Sequence, residues 1–346
     1  MVEQSREVGA MVRSPAIHEV RLDQRRRCLR CNAKGRALPS SCGLVAFCGR
    51  TCHGGRMSTR DRLLLLLLAA VWGSSFLFMR VAAPELGAFV LIEIRLLVAA
   101  IVLLVWLALR GGLSTLRCNF GKLAVLGAVN SAIPFTLFAF ATLSLTAGMA
   151  SVLNATTPLW AAVVGFFWLR DRLAPQKLLG LAIGFAGVIV LVAHKLGDTK
   201  DLVAVLAGLL AAGCYGVSSH FTRLRCVGLP PMTIAAGSLL AASLLLLPFA
   251  LATLPTEWPS FRALVGAIVL GVVCTGLAYV WYFRLLASVG PARAITVTYL
   301  VPVFGVLWGV VFLAESFTWS MVLGAAVVLT GTMLVVSGPR IEQPIH

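Results

Sequence analysis

Pro158-Leu-Trp-Ala-Ala-Val-Val-Gly165-Phe-Phe-Trp-Leu169-Arg170-Asp171 recurs 144 residues later as Pro302-Val-Phe-Gly-Val-Leu-Trp-Gly309-Val-Val-Phe-Leu313-Ala314-Glu315. In both copies a proline opens an apolar run, a glycine follows seven residues on, and a carboxylate comes two residues after the closing leucine. The register holds downstream without a gap: Leu179-Gly180 falls on Leu323-Gly324, and Gly187 on Gly331. Upstream, at an offset of 143, Trp72-Gly73 falls on Tyr215-Gly216, Ser75 on Ser218 and Arg80 on Arg223. Proline, glycine and acid are unusual choices inside apolar runs, so their agreement at a near-constant offset marks a duplication.

The duplicated unit is a set of apolar segments. The chain has 346 residues, of which 59% are hydrophobic and only 12% charged. Soluble domains carry about 25% charged residues, too many for this chain to be one of them. Leu63 to Leu68 is an unbroken leucine block, and further apolar stretches follow, each near the roughly 20 residues that cross a hydrocarbon core. Helices are predicted over 63–83, 87–109, 122–143, 148–169, 176–195, 203–222, 230–253, 262–287, 291–313 and 319–337. Each repeat then holds five helices, and an odd number forces the second copy to enter the membrane from the opposite side. The expected fold is an all-α membrane protein of ten transmembrane helices, built as two inverted five-helix repeats over 58–197 and 198–338 with a short tail at 339–346. Inverted repeats are the architecture of secondary transporters, because two related packings of one fold provide two states of similar energy.

A net charge of +16 invites a nucleic-acid reading, but its distribution excludes that partner. Residues 1–57 hold eleven basic and four acidic residues, a net of +7, and most of the other basic side chains sit in short connections between apolar runs. Arg60, Arg62, Arg110, Arg117, Lys122, Arg170, Arg172, Lys177, Arg223, Arg225, Arg284, Arg293 and Arg340 fall on one side of the predicted topology. Only Arg80, Lys195, Lys200 and Arg262 fall on the other. The positive-inside rule therefore puts both termini in the cytoplasm of a cytoplasmic-membrane protein.

The first 57 residues are of another kind: polar, basic and without a run long enough to span. They hold Cys28, Cys31, Cys42, Cys48 and Cys52, followed by His53. Cys28-x-x-Cys31 and Cys48-x-x-x-Cys52 offer the spacing of zinc ligands and resemble, incompletely, a zinc knuckle of the MYND kind. The stretch lacks the hydrophobic periodicity of a core, so it reads as a disordered extension with no metal expected, and the zinc site is the alternative. Met57-Ser-Thr-Arg-Asp-Arg then reads as the natural opening of the membrane part. No cofactor is expected. The remaining Cys118, Cys214, Cys226 and Cys274 have no metal spacing.

Ala70-Val71-Trp72-Gly73-Ser74-Ser75-Phe76, Arg95, Phe167-Trp168-Leu169-Arg170-Asp171-Arg172-Leu173 and Phe312-Leu313-Ala314-Glu315, with the glycines that follow, resemble the EamA-type members of the drug/metabolite transporter superfamily. The resemblance covers about 58–337 and implies a carrier that exports a small metabolite such as an amino acid. The first copy departs from the family pattern in having Asp171 where glutamate is usual. No phosphate-binding Gly-x-x-x-x-Gly-Lys-Ser/Thr loop, Gly-x-Ser-x-Gly elbow or His-Glu-x-x-His pair occurs, in keeping with a carrier that is not an enzyme. The expected partners are a small solute and membrane lipids, with a homodimer admissible. A channel, or a membrane sensor using the Cys-rich extension, is the rival reading.

Polar groups inside spans are costly and usually have a reason. Glu93 and Arg95, two residues apart, must point to different helix faces. Arg80 is placed to reach Glu93 or Glu85. Burial penalises the charged form of a carboxylate, which makes Glu93 the candidate for proton coupling. Asn130, Asn154, Thr298 and Tyr299 each lie just ahead of a proline (Pro134, Pro158 and Pro302), where a kink frees a carbonyl one turn earlier. Trp72 and Tyr215 match across the repeat near mid-membrane, and Tyr279 adds a further aromatic. Trp72, Arg95, Asn130, Asn154, Tyr215, Tyr279, Thr298 and Tyr299 are thus the candidate solute-binding residues. The alternative roles are helix glue, bends and interface anchors. His220, near a basic helix end, reads as a satisfied polar residue.

Overall fold

A computed structural model describes residues 57–193 and 198–338. The extension read as disordered, with the cysteines of its alternative zinc reading, and the tail beyond residue 338 lie outside the described residues. All regular structure among the described residues is helical. In chain order, α1 spans Thr59–Ala108, α2 Leu113–Cys118, α3 Phe120–Ala141, α4 Ala147–Leu169 and α5 Pro175–Val192. They are followed by α6 Thr199–Arg225, α7 Pro231–Ala252, α8 Phe261–Val289, α9 Val297–Leu313 and α10 Trp319–Ser337. Eight of these are long and apolar enough to cross a membrane, and α9 is a shorter apolar helix.

Side-chain caps set half of the starts. Ser58, Thr146, Asp198, Ser260 and Thr318 each accept a hydrogen bond from a backbone N–H two or three residues on, satisfying donors that a helix start leaves open. Pro175 and Pro231 open α5 and α7, where a missing N–H costs nothing. The outer surface is apolar: Leu63, Leu66, Ile101, Phe167, Leu206, Phe249 and Leu323 are all exposed. Water would not tolerate such a surface, whereas lipid does.

The 50 residues of α1 are two limbs joined at Gly87, where φ is 69° and ψ is 164°. Glycine adopts this backbone without the Cβ penalty. A helix advances about 1.5 Å per residue, so Met79 and Arg95 would stand about 24 Å apart on a straight one. An Arg95 Nη1 nevertheless lies 3.9 Å from Met79 Sδ, so the chain reverses at Gly87, as the predicted boundary at 83–87 requires. Glu85, at this corner, accepts hydrogen bonds from the Ser260 backbone N–H (2.6 Å) and hydroxyl (2.9 Å). These hold its carboxyl below the usual carboxylate range.

Contacts between the halves obey the repeat. A Cβ on Gly73 would stand 2.9 Å from Gly305 N, and one on Gly216 2.9 Å from Ala161 N. Offsets of 143 and 144 exchange these two pairs. On α5 and α10, Gly331 lies against Gly184 and Gly187 against Val328. The offset of 144 turns the first pair into the second, as it turns Gly324 against Leu191 into Gly180 against Val335. Positions rising along α5 meet positions falling along α10, so the two helices are antiparallel and related by a two-fold axis. The halves are inverted copies, as the sequence required.

Local backbone repeats as well. The π-helical stretch Ala128–Ala132 in α3 has its counterpart in Val272–Leu277 of α8, 144 residues later. The left-handed residues that close α4 and α9, Arg170 (φ 55°) and Ala314 (φ 51°), are also 144 apart. In each case the next residue's N–H returns to a glycine carbonyl, Asp171 to Gly165 and Glu315 to Gly309. The copies differ at their internal breaks. α4 is interrupted at Ala155–Thr156, just ahead of Pro158, whereas a single turn, Pro291–Ala294, precedes α9 and Pro302 sits inside that helix.

Candidate functional site

Arg95 is the strongest polar feature of the interior. It sits on the second limb of α1 and is only 6% exposed. Its Nε donates to Thr275 Oγ1 at 2.9 Å, one Nη1 faces the Met79 thioether, and the guanidinium carbon lies 3.7 Å from the centre of the Phe135 ring. Thr275 belongs to the π-helical stretch of α8 and donates in turn to Leu270 O at 2.9 Å. The carbonyl it uses is five residues back, one that a wider helical turn brings within reach. The site therefore draws on both halves, with Met79, Arg95 and Phe135 from the first and Thr275 from the second.

Four of the predicted residues gather here. Tyr215 stacks on Phe138 with centroids 6.2 Å apart and meets Phe135 edge-on at 6.4 Å. Tyr215 and Tyr279 both lie within electrostatic reach of Arg95, and Tyr279 also faces Asn130. Asn130, in the π-helical stretch of α3, accepts at Oδ1 from the Ser218 hydroxyl at 2.9 Å. Trp72 stands at the margin, its ring 5.3 Å from Tyr282, which is one turn beyond Tyr279. The buried hydroxyl of Ser131 has no hydrogen-bond partner among the described residues, and that of Ser75 faces only the weakly hydrogen-bonding Cys274 thiol.

The other expectations meet different surroundings. Asn154 ends the first segment of α4, and its carbonyl takes the Thr157 hydroxyl at 2.7 Å. The carbonyl that Pro158 frees is thus capped locally. Thr298 donates to Ile295 O within its own turn, and Tyr299 lies beside it at the start of α9. Pro134 follows directly on the π-helical stretch of α3. His220 Nε2 bonds the Ala161 carbonyl at 2.8 Å, a satisfied polar role.

Two expected pairings are corrected. Arg80 meets neither Glu93 nor Glu85; its Nη1 donates to the carbonyls of Thr142 (2.6 Å) and Leu143 (2.8 Å) at the end of α3. A helix terminus carries partial negative charge and open acceptors, so it serves a cation as a carboxylate would. Glu93 instead accepts from Ser243 of α7 at 2.5 Å through Oε1, while its buried Oε2 has no partner among the described residues. Glu315 reaches the other half: Ala147 N–H donates to Oε1 at 2.8 Å and Gly148 N–H to Oε2 at 3.5 Å.

Sequence reasoning missed Thr275, Met79, Phe135 and Ser243. A signal existed for one of them, because Thr275 is the 144-residue counterpart of Ser131, beside the candidate Asn130. The others are ordinary apolar or small residues whose role comes only from packing.

Known proteins agree with this architecture. One solved crystal structure superposes with a TM-score of 0.57 at 22% identity, covering 80% of this chain and 96% of that one. A probable amino-acid metabolite efflux pump of Salmonella typhimurium is 25% identical over 83% of this chain and 98% of its own length. A probable terminal-alkyne amino-acid exporter of Streptantibioticus cattleyicolor is 24% identical over 78% and 91%. An uncharacterized transporter of Archaeoglobus fulgidus is 25% identical over 79% and 98%. The model of the EamA-like transporter family matches residues 62–193 and again 202–337, once on each inverted half. This chain belongs to the EamA-like transporter family and is a membrane transporter.

Proposed function

We propose that the protein is a secondary carrier of the cytoplasmic membrane that exports a small metabolite of the amino-acid class. Its inverted halves rock about their shared axis and expose the Arg95 site to each side in turn. The observation that carries this reading is the two-fold exchange of contacts between the halves around a buried polar site. Counting the limbs of α1 separately and including α9 gives ten crossings, with both termini in the cytoplasm. The class of solute is suggested by the names of the relatives.

The acids that end α4 and α9 differ in their partners. Glu315 joins the halves at the α4 N-terminus. Its counterpart Asp171, at the opposite end of the same helix, accepts no hydrogen bond among the described residues and lies over Gly165 beside His220. The Glu315 contact thus has no counterpart at Asp171, where the residue equivalent to Ala147 is Pro291 and offers no N–H. On that face the halves are joined instead by Ser288 donating to Asp61 at 2.9 Å and Gln176 donating to Ser337 at 3.2 Å. Glu93 is the proposed proton-coupling residue, held among the described residues by Ser243 alone. Counterflow in proteoliposomes tests the function: trapped unlabelled amino acid should drive transient uptake of labelled amino acid. A flux that simply follows the gradient, without exchange, would indicate a channel.

A further inference from the structure

We infer that Arg95 receives the carboxylate of the carried solute, so the solutes of this transporter are small carboxylic acids with an apolar body. This rests on the carrier reading and adds a chemical class to it.

A guanidinium presents five N–H donors in a planar fork. Around Arg95 the described residues accept two, one through a hydroxyl and one through a weakly accepting thioether. No carboxylate among the described residues lies on it. Glu93, two residues away, is turned to Ser243, and the groups within electrostatic reach are Tyr215, Cys274 and Tyr279. A buried charge without a counter-charge costs the fold stability, and structural arginines are generally paired. Arg95 is also not a snorkelling side chain, because it is buried among residues of both halves. The Phe135 ring face lies on the guanidinium but carries no full negative charge, and an anion that comes and goes would supply one.

The surroundings suit a carboxylate. Ser75 and Ser131 precede Met79 and Phe135, the two first-half residues that touch the guanidinium, by one helical turn each. Their hydroxyls are at least 95% buried; Ser131 has no partner among the described residues and Ser75 faces only the Cys274 thiol. They offer donors beside an anion bound to Arg95, and an Arg–carboxylate pair is bidentate and charge-assisted. Phe135, Phe138 and Tyr215 form an aromatic wall next to the fork, which suits an apolar side chain. Arg95 and Thr275 come from opposite halves, so separating the halves would open the fork and closing them would seal it.

The test is counterflow with a probe that assumes no substrate. Full-length protein in proteoliposomes, loaded with an unlabelled extract of small metabolites, is exposed to the same extract uniformly labelled with carbon-13. The solutes that accumulate are identified by mass. The exchanged set should consist of carboxylic acids, and their amides should neither exchange nor compete. Arg95→Gln and Arg95→Met should lower this exchange at least tenfold while unfolding at or above the wild-type midpoint. Removing an unpaired buried charge relieves the fold, whereas removing a structural arginine would weaken it. Arg95→Lys should retain the preference for acids at reduced rate. Exchange of solutes without an acid group, or undiminished exchange of acids by the Gln variant, would overturn the assignment and leave the carrier reading standing. An absence of exchange by the wild-type protein would overturn both.

Discussion

Adding a single methyl group at Gly331 should separate the two helices that hold the halves together. A Cβ there would stand 2.5 Å from the Gly184 Cα and 2.6 Å from the Gly180 carbonyl oxygen. Ordinary carbon contacts need about 3.5–4.0 Å, so α10 must withdraw by about 1 Å. The obstructing atoms are backbone and cannot rotate aside. Overpacking of this kind costs about 1–3 kcal/mol, and the backbone obstruction puts Gly331→Ala near the upper end. Alanine recovers about 1 kcal/mol in helix propensity, leaving a net loss of about 2 kcal/mol, or about 30-fold in the unfolding equilibrium. Gly121→Ala is the control, because a Cβ there meets nothing within 4 Å, so only the propensity gain of up to about 1 kcal/mol applies. Denaturant titration of the purified protein, followed by helix content, gives both values. Equal midpoints for Gly331→Ala and wild type would refute the close crossing of α5 and α10.

Glu315→Ala should leave the Ala147 and Gly148 N–H groups open and shift the balance of states by about 1–2 kcal/mol. The readout is faster alkylation of a cysteine introduced at Ser144, next to the α4 N-terminus. Glu93→Gln should abolish solute movement driven by a proton gradient while sparing counterflow; normal accumulation against a gradient would remove Glu93 from the coupling. Reporter fusions should place 110–122 and 170–177 in the cytoplasm and 196–201 outside, and a cytoplasmic signal from 196–201 would change the helix count by one. Deleting residues 1–56 should leave insertion and transport intact, with loss of either favouring the zinc reading of Cys28, Cys31, Cys48 and Cys52.

The duplication was legible because Pro158 and Pro302, or Gly165 and Gly309, are conspicuous in apolar sequence. Gly87 was legible as a boundary because reversal of a helix needs a residue tolerant of positive φ. The partners of charges were not. Arg80 ends on carbonyls that become available only because α3 stops at Ala141, and a helix terminus leaves no mark in the sequence the way a carboxylate does. The role of Thr275 depends on a π-helical turn, a backbone choice with no residue signature. Gly184 escaped the repeat comparison because its counterpart is Val328, although across the two-fold axis it faces Gly331.

The crossing of α5 and α10 has a mechanical consequence. Points near a two-fold axis move least, so in the rocking cycle proposed above this crossing would be the fulcrum. The contact between Glu315 and Ala147 then lies at the end of a lever. A covalent tether at the fulcrum should pass unnoticed by the transport cycle, whereas a tether across the lever arm should arrest it. The glycines leave that crossing no slack, so on the proposed cycle the stroke would be set by how far the lever swings and not by slippage at its bearing.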